Sequence, residues 1–322
     1  MSDQSQLSSR SVMGVYFARV EAAPERAWVS QLAELYVGSQ TMSGVWEQYP
    51  FIGHAPPMRP FGAGRQVKGL HQLGSVTIES KPYEATLEVN VRDWRNDKTG
   101  QMRLRVEEFA DQSVQHWISL IYALTAIGET ATAYDGQTFF STTHSEFDSG
   151  VQSNSISVDI SEEPTLIHGI PTQPSLEEFQ RCIARGVTQF FTLKDDQGEP
   201  INGNARRFVL MVPVKFLLLA QAAVAAFGTQ AAQQNVNPVA ALDIELEVVA
   251  NPRLTWTDRF ALYRVDGSTK PIIRQTERDF QVRALAEGSE FEFNNDAWQF
   301  GIDAIRNVAF GHWQRAVLVR MV

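Results

Sequence analysis

The 322-residue chain has a single cysteine, so no intrachain disulfide can form and stability must come from packing. Long apolar runs are missing as well. The nearest approach, "FVLMVPVKFLLLAQAAVAAFG", is broken by Pro213 and Lys215 and does not read as a membrane span. The opening "MSDQSQLSSRS" lacks the apolar centre of a secretory signal, and the two features together predict a cytoplasmic product. Basic charge is in deficit: 28 Lys and Arg stand against 37 Asp and Glu, a formal charge of −9. That balance excludes nucleic-acid binding by phosphate neutralisation over the whole surface. Arg92, Arg95, Lys98, Arg103 and Arg105 alternate with acids and read as a solvated, salt-bridged face.

Motifs that carry chemistry are equally sparse. His54, His71, His116, His144, His168 and His312 stand apart, with no H-E-x-x-H or paired-cysteine spacing, so neither a metal site nor a cofactor is expected. Glu107–Glu108 and Glu162–Glu163 are adjacent pairs, whereas a glycosidase needs carboxylates converging across a cleft. "GAGRQVKG" has Val67 where a dinucleotide fingerprint needs glycine, and a phosphate-binding loop of the Walker type is absent. Cys182, in "EEFQRCIARG", lies beside a helical apolar stripe and reads as a small core residue.

One run does gather reactive side chains. "YDGQTFFSTTHSEFDSG" (134–150) contains Asp135, Ser141 and His144, the three residue types of a nucleophilic triad. Triads are defined by geometry and their members usually lie far apart in sequence, and no G-x-S-x-G elbow occurs here. The alternative is a loop in which His144 is hydrogen-bonded and Ser141, Thr142 and Thr143 satisfy local backbone. A soluble hydrolase using Ser141, His144 and Asp135 is therefore kept only as a rival, and no enzyme is expected.

Patterning supplies what the motifs do not. Hydrophobic residues make up 43% and charged residues 20%, ordinary values for a globular chain. "PERAWVSQLAELYV" predicts a short helix, and "YPFIGHAPPMRPFGAG" then mixes aromatics with prolines and glycines that favour extended or turn backbone. Trp28, Trp46, Tyr49, Phe51 and Phe61 are too apolar for a free tail. From Tyr83 to Val91 the odd positions are apolar and the even ones polar, which predicts a strand; Val76 and Ile78 suit its partner, with "ESKP" as the reversal. From Met102 the period lengthens: Val106, Phe109, Trp117, Leu120, Ile121, Leu124 and Ile127 predict a long amphipathic helix ending near Gly128. Ser175 and Glu178 have capping-box spacing before Leu176, Phe179, Ile183, Val187 and Phe190. "RRFVLMVPV" predicts a buried strand leading into an alanine-rich helix that stops near Gly228. Strands follow at "LDIELEVVANPRL", "RFALYRV", "PIIRQ", "DFQVRAL", "EFEF" and from Trp298 onward. The fold class is α+β. An apolar arm, a long hairpin and a one-sided helix are awkward in a monomer and make sense where neighbours cover them.

Five segments in this order, "VTIESKPYEATLEVNVRDWRNDKTGQ", "YDGQTFFSTTH", "NPRLTW", "KPIIRQ" and "WQFGIDAIRNVAFGHWQRAV", resemble the major head subunit family of Mu-like tailed phages, from roughly Val76 to Val317. The chain departs from the family just before "KPIIRQ", where it is less aromatic. The resemblance implies a major capsid protein of the Hong Kong 97 fold. It would have an N-terminal arm at 1–63, an extended hairpin loop at 64–98, a peripheral domain with a spine helix at 99–172 and 270–322, and an axial domain at 173–269. It implies self-assembly through pentamers and hexamers into an icosahedral head around double-stranded DNA, without sequence-specific binding and without a membrane. A scaffolding protein, a portal and a decoration protein are the other implied partners, the host cytoplasm the place of assembly and the virion the destination. Trp46, Tyr49 and Phe51 in the arm, and Tyr83, Leu87, Val89 and Trp94 in the hairpin, are the candidate inter-subunit contacts. A non-viral nanocompartment shell of the same fold is the second reading.

Overall fold

Two sheets organise the chain, and a long helix lies across the first of them. The computed structural model describes residues 8–23, 25–37, 46–56, 58, 69–161, 168–229 and 244–322. In chain order these form α1 (Ser9–Ala22), α2 (Ala27–Leu32), β1 (Ala33–Val37), β2 (Trp46–Ile52), β3 (Gln72–Glu79), β4 (Lys81–Asn90), α3 (Val91–Arg95) and α4 (Gln101–Ala126). Next come β5 (His144–Ser145), β6 (Val151–Gln152), β7 (Ser155–Val158), α5 (Leu176–Thr192), β8 (Arg207–Pro213), α6 (Leu217–Thr229) and β9 (Glu245–Asn251). The remainder is β10 (Arg259–Arg264), β11 (Ile272–Leu285), α7 (Glu290–Asn295), β12 (Ala297–Phe310) and β13 (Ala316–Met321). Among the described residues no helix is long and apolar enough to cross a membrane.

The first sheet has the order β1-β11-β12-β4 and the second β7-β13-β10-β8-β9. In the second sheet Phe208 to Val212 and Phe260 to Tyr263 are buried without alternation, because α5 and α6 pack against it and its central strands are covered. The first sheet alternates instead. Along β12, Trp298, Phe300, Ile302 and Ala304 are buried, and the first three form a second apolar cluster with Val12 and Tyr16 of α1, Val89 of β4, and Val106 and Ala110 of α4. Helix α4 presents Val106, Ala110, Ser113, Ile121, Leu124 and Thr125 inward at helical spacing. Its outer side carries ion pairs such as Arg103–Glu107 at 3.0 Å and Arg105–Glu108 at 2.6 Å, the solvated face read from the charges. The Ser175–Glu178 capping box forms at the start of α5, and Cys182 lies in the core, where burial pushes its thiol up to about 12.

Several expectations are corrected. Strands β3 and β4 do not pair with each other. A single residue, the buried Ser80, separates them, too few to reverse the chain, so β3 pairs antiparallel with β2 and β4 with β12. The hairpin is therefore β2–β3, with Trp46 opposite Glu79 and Ile52 opposite Gln72. The helix expected over 24–37 ends at Leu32, because "AELYV" pairs parallel with β11. Residues 9–22, expected to belong to an extended arm, form α1 and pack on α4, with Arg19 bonded to Asp111 at 2.7 and 2.8 Å. "EFEF" is helical, since Gly288 turns the chain at φ 83° and Ser289 caps α7 by accepting from Glu292 N. "PIIRQ" and "DFQVRAL" are one strand, β11, with register shifts near Arg278. Strand β13 hydrogen-bonds to both β10 and β7. Phe61, Gly62, Gly64, Val67, Glu162, Glu163 and Leu242 lie outside the described residues.

Candidate assembly surface

Three segments distant in sequence meet at the far end of the β2–β3 ribbon: the ribbon itself, the 134–152 segment, and the turn at 194–200. The 134–152 segment begins with an Asx turn. Gly136 has φ 82°, and Gln137 N donates to Asp135 Oδ1 at 3.1 Å. His144 is fully buried, stacked on Trp313 with ring centroids 4.1 Å apart, its Nδ1 2.5 Å from Asp135 Oδ2 and its Nε2 3.3 Å from Phe139 O. Both ring nitrogens thus face acceptors other than Ser141. The Ser141 hydroxyl is 3.1 Å from Thr143 Oγ1 and accepts from Thr143 N at 3.2 Å. His144 and Asp135 come together, as a triad would require, but Ser141 is turned toward its own loop and has no base.

The carboxylate of Glu146 is the anchor of this segment. Its Oε1 accepts from Tyr134 OH, from Trp313 Nε1 at 3.0 Å and from Gln314 Nε2 at 2.8 Å. Burial raises the Glu146 carboxyl above its ordinary value, and burial beside that carboxylate holds the Tyr134 phenol well above its own. Gln152 then clamps the neighbouring turn: its side chain donates to Lys194 O at 3.1 Å and accepts from Lys194 N at 2.6 Å.

The ribbon is fastened to the same place. Phe51 stacks on Tyr134 at 4.1 Å, and Gly74 runs so close that an added Cβ would sit 2.1 Å from Tyr134 O. Only glycine allows that approach. His54 N donates to Asp196 Oδ1 at 2.9 Å, its Nδ1 lies 3.1 Å from the same oxygen, and Gln197 Nε2 donates to His54 O at 2.7 Å. Asp195 joins His54 and Asp196 in a group whose ligand atoms fall within 4.8 Å of one another. Asp195 Oδ1 already accepts from Gln197 N and Glu199 N, both at 2.9 Å, so these contacts close a joint between ribbon and body. Sequence reading could not find this trio, because His54 and Asp196 are 142 residues apart.

The candidate contact residues divide by exposure. Trp46 is 70% exposed at the base of the ribbon. Tyr49 is half-buried against Tyr36, and Phe51 is buried on Tyr134. Tyr83 packs edge-on to His116, Leu87 is half-buried beside the second cluster, and Val89 lies inside it. Trp94 donates its indole N–H to Ser11 Oγ at 3.1 Å. Phe51 and Val89 are thus spent on the chain's own core. Residue patterning does not single out Phe147, which is 65% exposed and held at φ 41°.

The two-sheet body, with a long helix packed on one sheet and the β2–β3 ribbon joined to it, is similar to the chains of solved phage capsids. The procapsid chain of bacteriophage JBD30 matches with a TM-score of 0.52 at 18% identity, over 97% of this chain and 73% of that one. A capsid chain of cyanophage P-SCSP1u gives 0.54 at 11% identity, covering 93% and 90%, and one from the mature capsid of bacteriophage PhiM1 gives 0.53 at 8% identity, covering 93% and 88%. The fold is therefore of the Hong Kong 97 type. Comparison with curated proteins gives no match. The family model described as Mu-like prophage major head subunit gpT matches residues 19–167 and 214–321, and the chain belongs to that family. Its role is that of a capsid shell protein, a self-assembling component of the virion.

Proposed function

We propose that this chain is the repeating subunit of an icosahedral head that encloses double-stranded DNA, with copies gathered into pentamers and hexamers. The observation that supports it most directly is the family match across both sheets, joined to a ribbon whose base carries the exposed Trp46. In this reading α4 and the β1-β11-β12-β4 sheet form the peripheral domain, and the five-stranded sheet with α5 and α6 forms the axial domain. The β2–β3 ribbon takes the part of the extended loop, which moves that loop toward the N-terminus of the 64–98 span. Trp46 and the half-buried Tyr49, Tyr83, Leu87 and Trp94 are the contacts offered to neighbours. Repeated weak contacts around closed rings sum to a stable shell. The acidity of the chain limits adhesion of packaged DNA to the wall. Scaffolding, portal and decoration proteins complete the head, which assembles in the host cytoplasm. One structural neighbour comes from a procapsid and another from a capsid decorated with minor capsid protein trimers.

The nanocompartment reading has one specific support, a virus-like particle from Pyrococcus furiosus at TM-score 0.50 and 8% identity. The head reading is preferred because the family match is to phage head subunits. Sedimentation velocity and negative-stain imaging of the full chain test it. Closed shells or rings are expected, and a compact monomer at every concentration and with every head protein supplied would overturn it.

A further inference from the structure

Phe147 combines two features that oppose local stability. It is an aromatic residue in the left-handed region, at φ 41°, where L side chains crowd the backbone, and its side chain is 65% exposed. Strained backbone persists only where surrounding structure over-determines it. Here the determinants are explicit. Glu146 N donates to Ser149 Oγ at 2.9 Å, Ser149 N donates to Glu146 O at 2.8 Å, and Asp148 N donates to Asp196 O at 3.1 Å. Glu146 itself is fixed by its three buried donors. The residues on both sides of Phe147 are thus tied to the body, and the ring cannot fold inward without breaking them.

The ring lies beside the end of the β2–β3 ribbon. It touches His71 at 5.6 Å between centroids, next to Leu70, which is 61% exposed. Ile52, 55% exposed, ends the paired strand opposite Gln72. Asp148 adjoins it in sequence and Asp196 is bonded to that residue, a setting that disfavours phosphate groups of nucleic acid or lipid. A large aromatic left exposed among the described residues, in a protein of a head-subunit family, calls for a protein partner of the same kind.

We propose that Phe147 is an assembly knob: the Glu146–Ser149 turn holds its ring outward so that a second copy of the chain buries it, together with Leu70 and Ile52, during shell closure. This rests on the head-subunit reading above. The contact joins unlike surfaces on the two copies, as ring closure requires. It also assigns a purpose to the strain, since any residue that relaxes the backbone comfortably would lack the ring.

The test compares wild-type full chain with Phe147→Gly, Phe147→Asn and Phe147→Tyr. Glycine and asparagine accept the left-handed backbone, and tyrosine keeps the ring. Particle yield against protein concentration is read by sedimentation and negative stain, and Tm is read on unassembled subunit. Expected are Tm values within about 5 °C of wild type for all three. The Gly and Asn variants should need at least roughly tenfold more protein to assemble, with assembly kept by Tyr. Assembly of Phe147→Gly at the wild-type concentration overturns the knob alone, as does a Tyr variant as defective as Gly. A Tm loss beyond about 5 °C makes Phe147 part of the fold and overturns it too. If wild type never assembles even with every head protein supplied, the head-subunit reading fails, and the knob with it.

Discussion

Phe51 and Tyr134 stack with ring centroids 4.1 Å apart and planes 12° from parallel, joining the β2–β3 ribbon to the body of the subunit. Phe51→Ala should cost about 3 kcal/mol, the transfer of a buried ring plus the cavity left against Tyr134 and His312. Denaturant unfolding gives the loss, and limited proteolysis between the two ribbon strands should speed up in parallel. A cost below about 1 kcal/mol would mean that the stack does not hold the ribbon.

Glu146 serves three donors through one oxygen, so its removal should be felt at all of them. Glu146→Ala leaves the indole N–H of Trp313, the amide of Gln314 and the phenol of Tyr134 without that acceptor. Losses of about 3 kcal/mol are expected, since each stranded donor pays its own desolvation. Near-ultraviolet circular dichroism should show Trp313 and Tyr134 losing their fixed environment. Glu146→Gln, which retains an oxygen of the same reach, should cost less.

Acid should destabilise the isolated subunit through two histidines. Burial, with the charge of Arg306 nearby, lowers His116 to about 4; burial, with Arg315 and His54, lowers His312 to about 3. Each is depressed below the ordinary histidine value of 6.5, so the unfolded chain binds the proton first. Their stabilising contribution is complete above pH 6.5 and is lost as pH falls toward 4 for His116 and 3 for His312, at up to about 1.4 kcal/mol per pH unit for each. Glu146 acts in the opposite sense, because its raised carboxyl takes up a proton in the folded state and recovers part of the loss. Thermal melts from pH 7 to pH 4 should therefore fall, and His312→Asn should flatten the slope. An unchanged slope in that variant would remove His312 from the account.

Ser141→Ala should leave Tm and assembly unchanged, within about 0.5 kcal/mol, because the hydroxyl serves only its own loop. A screen of ester and peptide substrates on wild type should show no turnover that the variant removes. Turnover abolished by Ser141→Ala would revive the hydrolase reading.

Much of this was legible along the chain. The polar-apolar alternation of 83–91 and the helical stripe from Val106 to Leu124 are local properties, and the observed β4 and α4 follow them. The Ser175–Glu178 box was legible for the same reason, since both partners sit in one turn. The α1 helix was not, because its apolar residues from Val12 to Ala18 run around the helix instead of along one face, and only Val12 and Tyr16 of them are buried. "EFEF" misled because alternation over four residues cannot outweigh a glycine turn and a serine cap. Phe293, 88% exposed on that helix, shows that the alternation there marks no buried face.

The amino-acid sequence by itself determined which stretches carry a strand or helix period, the absence of an intrachain disulfide, and a family likeness from roughly Val76 to Val317. Tertiary structure alone decided that β3 turns to β2 and β4 to β12, that His144 is locked between Asp135 and Trp313, and that Phe147 is left outside. The physical reason is range. Periodicity is written within a few residues, whereas strand partners and buried hydrogen bonds are chosen by competition among segments that can lie more than two hundred residues apart.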